Sequence, residues 1–203
     1  MEMEWSLRLI DPPAIEPITL DEAKLFLRVD HDDEDALIES LISGARSYCE
    51  NAQHRAYITQ TWRLTIDRFP AQGHILLPRP PLQAVTDFQY RDEDGGYHTF
   101  SDFAIDASIE PGRVYLTPDS AWPSDALWPK AAVTIDYECG YGDASTDMPV
   151  AAAQMLRLLI AQWYEYRESA SMGHGMSSIT MPFAFESLIW QNKVFPFHPA
   201  GCD

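Results

Sequence analysis

Apolar residues recur along this chain at two periods, and the period changes twice. Residues 1–17 carry Trp5, Leu7, Leu9 and Ile10 ahead of the turn formers Asp11-Pro12-Pro13 and read as an extended arm. Thr19 and Glu22 then stand at the spacing of a capping box, in which each side chain satisfies a free backbone N–H of the other. A short helix is predicted from Leu20 to Arg28, with Leu20, Ala23, Phe26 and Leu27 as its buried stripe. The acidic run 30–35 precedes Leu37, Ile38, Leu41, Ile42, Ala45, Tyr48 and Cys49, a three-and-four repeat that predicts an amphipathic second helix. Carboxylates at its start oppose the positive end of its dipole. Gly44 beside Ala45 leaves little bulk on one face, so a neighbouring helix can approach closely there.

From Ala56 the period becomes two. Strands are predicted around 57–66, 74–77, 85–90, 97–104, 112–117 and 131–138, with Asp92-Glu93-Asp94-Gly95-Gly96 as a hairpin loop. Gly140-Tyr141-Gly142 closes this region. Asp147 offers an N-cap and Pro149 a first-turn residue for a third helix over 148–168. Between Val150 and Ala161 only Gln154 and Arg157 are polar, so this helix must be covered on several sides, by its own bundle or by another subunit. Residues 169–180 are rich in Ser, Gly and Met and read as a linker. Beyond them lies a tail with Phe183, Phe185, Leu188, Ile189, Trp190, Phe195 and Phe197, too short for a core of its own.

The fold class is therefore α+β: a small α-helical bundle with an inserted antiparallel β-domain of about six short strands. The divisions are 1–55 for the arm and first bundle helices, 56–142 for the β-domain, 143–168 for the central bundle helix and 169–203 for linker and docking tail.

Charge changes the picture more than composition does. The chain has 203 residues, and 46% hydrophobic content is ample for a core, but 31 acidic against 14 basic residues give a formal net charge of −17. Such a surface repels phosphate, which argues against a DNA-binding protein and fits either a plain solubility device, the commoner use of acid, or a wall that lets DNA pass without holding it. Cys49, Cys139 and Cys202 are far apart and odd in number, pointing to a reducing compartment. An acidic N-terminus and the lack of a long apolar run predict a cytoplasmic chain without a membrane segment.

Candidate chemistry is sparse. No phosphate-binding glycine loop, zinc-protease helix or nucleophile elbow occurs, and the six histidines lack the spacing that sets two imidazoles on one helix face. Asp30, Asp32 and Glu34 alternate as in a calcium loop, but Asp35 stands where glycine is needed and Leu41 where glutamate is. No catalytic, cofactor or metal site is expected. Acid pairs, with Trp122 and Trp128 as sugar-stacking aromatics, leave a glycan-binding or glycan-hydrolysing protein as the alternative.

Several segments occur in a familiar order: Pro17-Ile18-Thr19-Leu20-Asp21-Glu22-Ala23-Lys24, Leu27-Arg28-Val29-Asp30, Ile58-Thr59-Gln60-Thr61-Trp62, Leu77-Pro78-Arg79-Pro80-Pro81-Leu82, Gly140-Tyr141-Gly142, Trp163-Tyr164-Glu165-Tyr166-Arg167-Glu168 and Met181-Pro182-Phe183. In this order they resemble the head-tail connector (adaptor) family of tailed phages and gene transfer agents. The resemblance implies a structural subunit of a dodecameric ring, assembled in the cytoplasm of the producing cell and then held in the neck of the particle. Its partners would be the portal protein and a downstream stopper or tail-terminator protein, with DNA passing through unbound. Three sets of residues are expected to serve it. Asp30, Asp32, Asp33, Glu34 and Asp35 line the DNA channel or else lie on a solvated outer face. Gly44, Ala45, Arg157 and Leu159 form subunit contacts or else a protomer core. Phe183, Phe185, Trp190, Phe195 and Phe197 dock on the portal or a neighbour, the first two alternatively packing on the chain's own helices.

Overall fold

The computed structural model describes residues 4–166, 183–194 and 199. These form four α-helices and eight β-strands in two compact units. One unit draws its described residues from 1–14, 54–141 and 194–203, the other from 15–53 and 142–193.

The first unit is built of strands. β1 (Trp5–Asp11), β2 (Gln60–Ile66), β8 (Val133–Cys139), β4 (Leu82–Arg91) and β5 (Tyr97–Thr99) make a five-stranded sheet in the order β1-β2-β8-β4-β5. β3 (His74–Leu76), β7 (Arg113–Leu116) and β6 (Phe103–Asp106) make a three-stranded sheet in the order β3-β7-β6. Every ladder is antiparallel. Alternation decides the faces: Val133, Ile135, Tyr137 and Cys139 of β8 are buried while Thr134, Asp136 and Glu138 between them are not. Leu64, Ile66, Ile75, Phe88, Val114 and Ile135 share one core with residues of both sheets.

Two parts of this unit differ from the expectation. The arm is not free-standing: β1 pairs along β2, Trp5 opposite Ile66 and Leu9 opposite Trp62, so a boundary at residue 55 assigns it to the wrong side. A strand with alternating apolar residues gains a full ladder only by joining an existing edge. The single strand expected over 97–104 is two, because β5 pairs with β4 whereas β6 pairs with β7 of the other sheet, and Phe100 turns into the core between them. The five-residue hairpin loop stands as read, with Arg91 opposite Tyr97.

The second unit is a helical bundle of α1 (Leu20–Leu27), α2 (Asp35–Gln53), α3 (Val150–Glu165) and α4 (Phe183–Gln191). The capping box forms: Glu22 N–H donates to Thr19 Oγ1 at 3.2 Å and Thr19 N–H to Glu22 Oε2 at 3.0 Å. α1 ends where Arg28 turns to φ 61°, its N–H donating to Leu25 O. The expected stripe of α1 is only partly buried. Two turns offer one central position, Ala23, and Phe26 at the margin of that stripe remains 40% exposed. α3 buries Ala152, Met155, Leu156, Leu159 and Ile160 against α1, α2 and α4. Its start also differs, since Pro149 is the N-cap and the Asp147 carboxylate accepts Ala144 N–H in a short 3-10 turn, Ser145–Asp147.

Candidate assembly surfaces

The acidic turn before α2 is anchored from two sides within the helical unit. Lys24 of α1 donates to Asp32 at 2.6 Å and to Asp35 at 2.7 Å. These hydrogen bonds hold the ammonium above the usual lysine range, and the same contact with Lys24 holds the Asp32 carboxyl below the usual carboxylate range. Tyr164 of α3 donates its hydroxyl to Glu34. Asp30 and Asp33 point into solvent. Three of the five acids expected to act together, Asp32, Glu34 and Asp35, thus also bind the turn to its own unit, whereas Asp30 and Asp33 are simply exposed.

The small-residue face of α2 meets a helix of the same chain. A Cβ on Gly44 would lie 3.4 Å from Cζ3 of Trp163 on α3, and both Ala45 and Leu159 are fully buried. These three residues build the protomer's own core. Arg157 is partly exposed and lies 3.6 Å from Glu22 of α1.

α4 brings the tail aromatics to different fates. Phe185 is buried and its ring stands 6.3 Å from that of Tyr48, which itself meets Trp163 edge-on at 5.9 Å. Gln53, buried at the end of α2, donates its side-chain amide to Leu188 O at 3.1 Å and Ile189 O at 3.2 Å. It satisfies carbonyls that the last turn of α4 cannot satisfy itself. Trp190 remains 61% exposed, with Lys193 Nζ 4.8 Å from its ring centroid. Phe183 is the first residue of α4, and Phe195 and Phe197 lie outside the described residues. So does the linker read at 169–180.

Beyond Lys193 the chain belongs to the β unit at both described positions, 194 and 199. Val194 is buried there, and Pro199 accepts a hydrogen bond from Leu76 N–H of β3 at 2.8 Å. The edge of β3 offers donors, and a carbonyl of this chain takes one, where a strip held only by partners was expected.

The aromatics of the glycan alternative are occupied. Trp122 stacks on Phe69 at 5.1 Å and donates its indole N–H to Gln72 O, and the Arg91 guanidinium lies 3.7 Å from the Trp128 ring. Among the described residues no three His, Cys, Asp or Glu side chains come together to hold a metal, and no helix is long and apolar enough to cross a membrane.

Residues 17–89 match the family model of phage gp6-like head-tail connector proteins. This is the family read from the order of sequence segments, and it is a structural one, not a family of enzymes. No curated protein sequence matches the chain. Among solved structures, a chain of the neck of an empty gene transfer agent particle, computed with C6 symmetry, is 22% identical with a TM-score of 0.77, over 94% of this chain and 96% of that one. A chain of the virion of a native gene transfer agent particle is 23% identical with a TM-score of 0.76 over 94% and 96%. A chain of the neck of a native particle, computed with C12 symmetry, is 23% identical with a TM-score of 0.70 over 93% and 96%. The α+β fold is thus one already seen in gene transfer agent particles, and over nearly the full length.

Proposed function

We propose that this protein is a head-tail connector subunit that forms a ring in the neck of a phage-like particle, between the portal of the capsid and the tail. The observation that carries the reading is the coincidence of two matches, the connector family over 17–89 and the fold of gene transfer agent neck chains over 94% of the length. The symmetries of the matched necks, C6 and C12, support a ring. The acid excess supports a passage that does not hold DNA, because a strand of phosphates slides past like charge and sticks to cations. Asp30 and Asp33 are the acids of the turn free to face that passage, and Lys24 and Tyr164 keep them in place.

Portal docking falls to Trp190, an exposed aromatic on a helix fixed by Gln53, with Phe195 and Phe197 following it in the chain. A stopper or tail-terminator protein would meet the opposite end of the ring. Mixing the purified chain with isolated portal and measuring mass by photometry, then imaging by cryo-electron microscopy, tests the assignment. A ring stacked on portal is expected. A chain that stays monomeric beside portal and beside portal-bearing capsids would remove the basis of the reading.

A further inference from the structure

The helical unit carries an apolar knob and an apolar groove, each with a charge of opposite sign. The knob is the C-terminal end of α1. Leu25 is 82% exposed and Phe26 40%, and Arg28 beside them is exposed and fixed by the left-handed turn that ends the helix. Lys24, Arg46 and Arg157, three other cations of this unit, each meet a carboxylate of the chain. Arg28 meets none among the described residues. The groove, of about 490 Å³, lies at the other end of α1 and is lined by Ile15, Ile18, Leu20 and Ile42, with Glu39 exposed among its lining residues. Glu39 has no cation of this chain beside it among the described residues, whereas Glu16, which also lines the groove, already holds Arg46.

We infer that the knob of one copy, Leu25, Phe26 and Arg28, seats in the groove of the next copy, with Arg28 facing Glu39. This rests on the ring reading and names the contact that builds the ring. The charge argument is specific to a chain of formal net charge −17: copies of it repel, so a contact between copies needs a cation set against an anion. Burying Leu25 and Phe26 supplies the attraction, and the Arg28–Glu39 pair sets the register. The geometry also suits a ring. Leu20 in the groove and Leu25 in the knob are five residues apart, which turns them about 140° around the α1 axis. The two surfaces therefore face different neighbours, and a contact between unlike surfaces runs on from copy to copy, as a ring requires, instead of stopping at a dimer.

Charge reversal tests it. Arg28→Glu and Glu39→Lys are each expected to raise the concentration for half-assembly at least about tenfold, measured by mass photometry or sedimentation velocity. The double variant is expected to restore assembly, and circular dichroism should be unchanged in all three because both side chains are exposed. Leu25→Cys with Ser43→Cys, oxidised, is expected to give a covalent ladder of copies on a denaturing gel. Wild-type rings with single variants that assemble equally well would overturn the contact and leave the ring standing. Single variants that fail with a double variant that also fails would overturn the pairing of Arg28 with Glu39. A wild type that stays monomeric alone and on portal would overturn contact and ring together.

Discussion

The two units of this chain treat apolar surface differently. The β unit closes over it: its most exposed large residue, Tyr97 at 66%, lies under the Arg91 guanidinium, and its exposed aliphatics stay near 40%. The helical unit leaves Leu25 and Val150 each 82% exposed and Trp190 61%, although Ile38, Ala45 and Leu159 show that it can bury apolar groups completely. Scattered exposed aliphatics are ordinary, and what distinguishes the helical unit is how bare its few exposed ones are. The β unit covers its apolar surface, and the helical unit is the one that keeps bare aliphatics to offer a partner.

Breaking the β unit should have the largest effect. Ile135→Ala removes a fully buried side chain of the central strand β8 and is expected to lower stability by about 2–5 kcal/mol, read as the midpoint of urea denaturation. A loss below about 1 kcal/mol would mean the β core is looser than its burial implies.

Unpinning α4 comes next. Gln53→Leu keeps the volume but strips Leu188 O and Ile189 O of their donor, at a cost of about 1–3 kcal/mol. Hydrogen exchange should then rise in α4 and leave β8 protected. Equal exposure of both would erase the distinction between the units.

A smaller effect concerns acid. In the β unit Arg55 holds Glu110 with a hydrogen bond of 2.9 Å, and that guanidinium keeps the Glu110 carboxyl below its ordinary value. A carboxyl whose folded pKa is depressed contributes its stability above the unfolded value near 4.5 and loses it as pH falls through the lower folded value. Because Glu110 is partly exposed, the contribution is under about 1 kcal/mol. Glu110→Gln should therefore melt slightly below wild type at pH 7, and the gap should close at the acid end of that window. A gap that is constant with pH would mean the pair is not the cause.

The smallest effect is the most telling for the comparison. Val150→Ser removes one of the barest aliphatics and is expected to change monomer stability by less than about 0.5 kcal/mol. A measured loss above 1 kcal/mol would place Val150 in a contact of the protomer itself.

The sequence was most legible where one short rule acts alone. Thr19 and Glu22 specify the start of α1, and alternation over 133–139 specifies the buried face of β8. It was least legible where a partner far along the chain decides. Trp5, Leu7 and Leu9 carry no mark that Ile66, Leu64 and Trp62 are waiting for them. Gly44 and Ala45 read as a face that a helix approaches closely, but small residues at a contact look the same whether the neighbour helix is α3 or another copy. Leu25 carries no signal in the sequence, because a single aliphatic outside a helix stripe has no periodicity. The groove was invisible in the same way, being assembled from residues at 15–20, 39–43 and 145.

The order of segments along the chain has a consequence for its synthesis. The β unit needs β1, which precedes α1 and α2, and takes Val194 and Pro199, which follow α4, while residues of the helical unit are interleaved between them. On the ribosome β1 can join β2 once residue 66 has emerged, but β2 lacks its other neighbour until β8 follows at 133–139. α2 likewise waits for α3, so two half-built bodies exist side by side for much of translation, with strand edges and apolar helix faces open. A nascent chain of this kind cannot finish either body early, and it reaches the exit of the ribosome with both closing in the same short interval. Copies translated on neighbouring ribosomes of one message would be sticky to each other in that interval, and the heavy negative charge, whatever it does later for DNA, would keep them apart until each had closed.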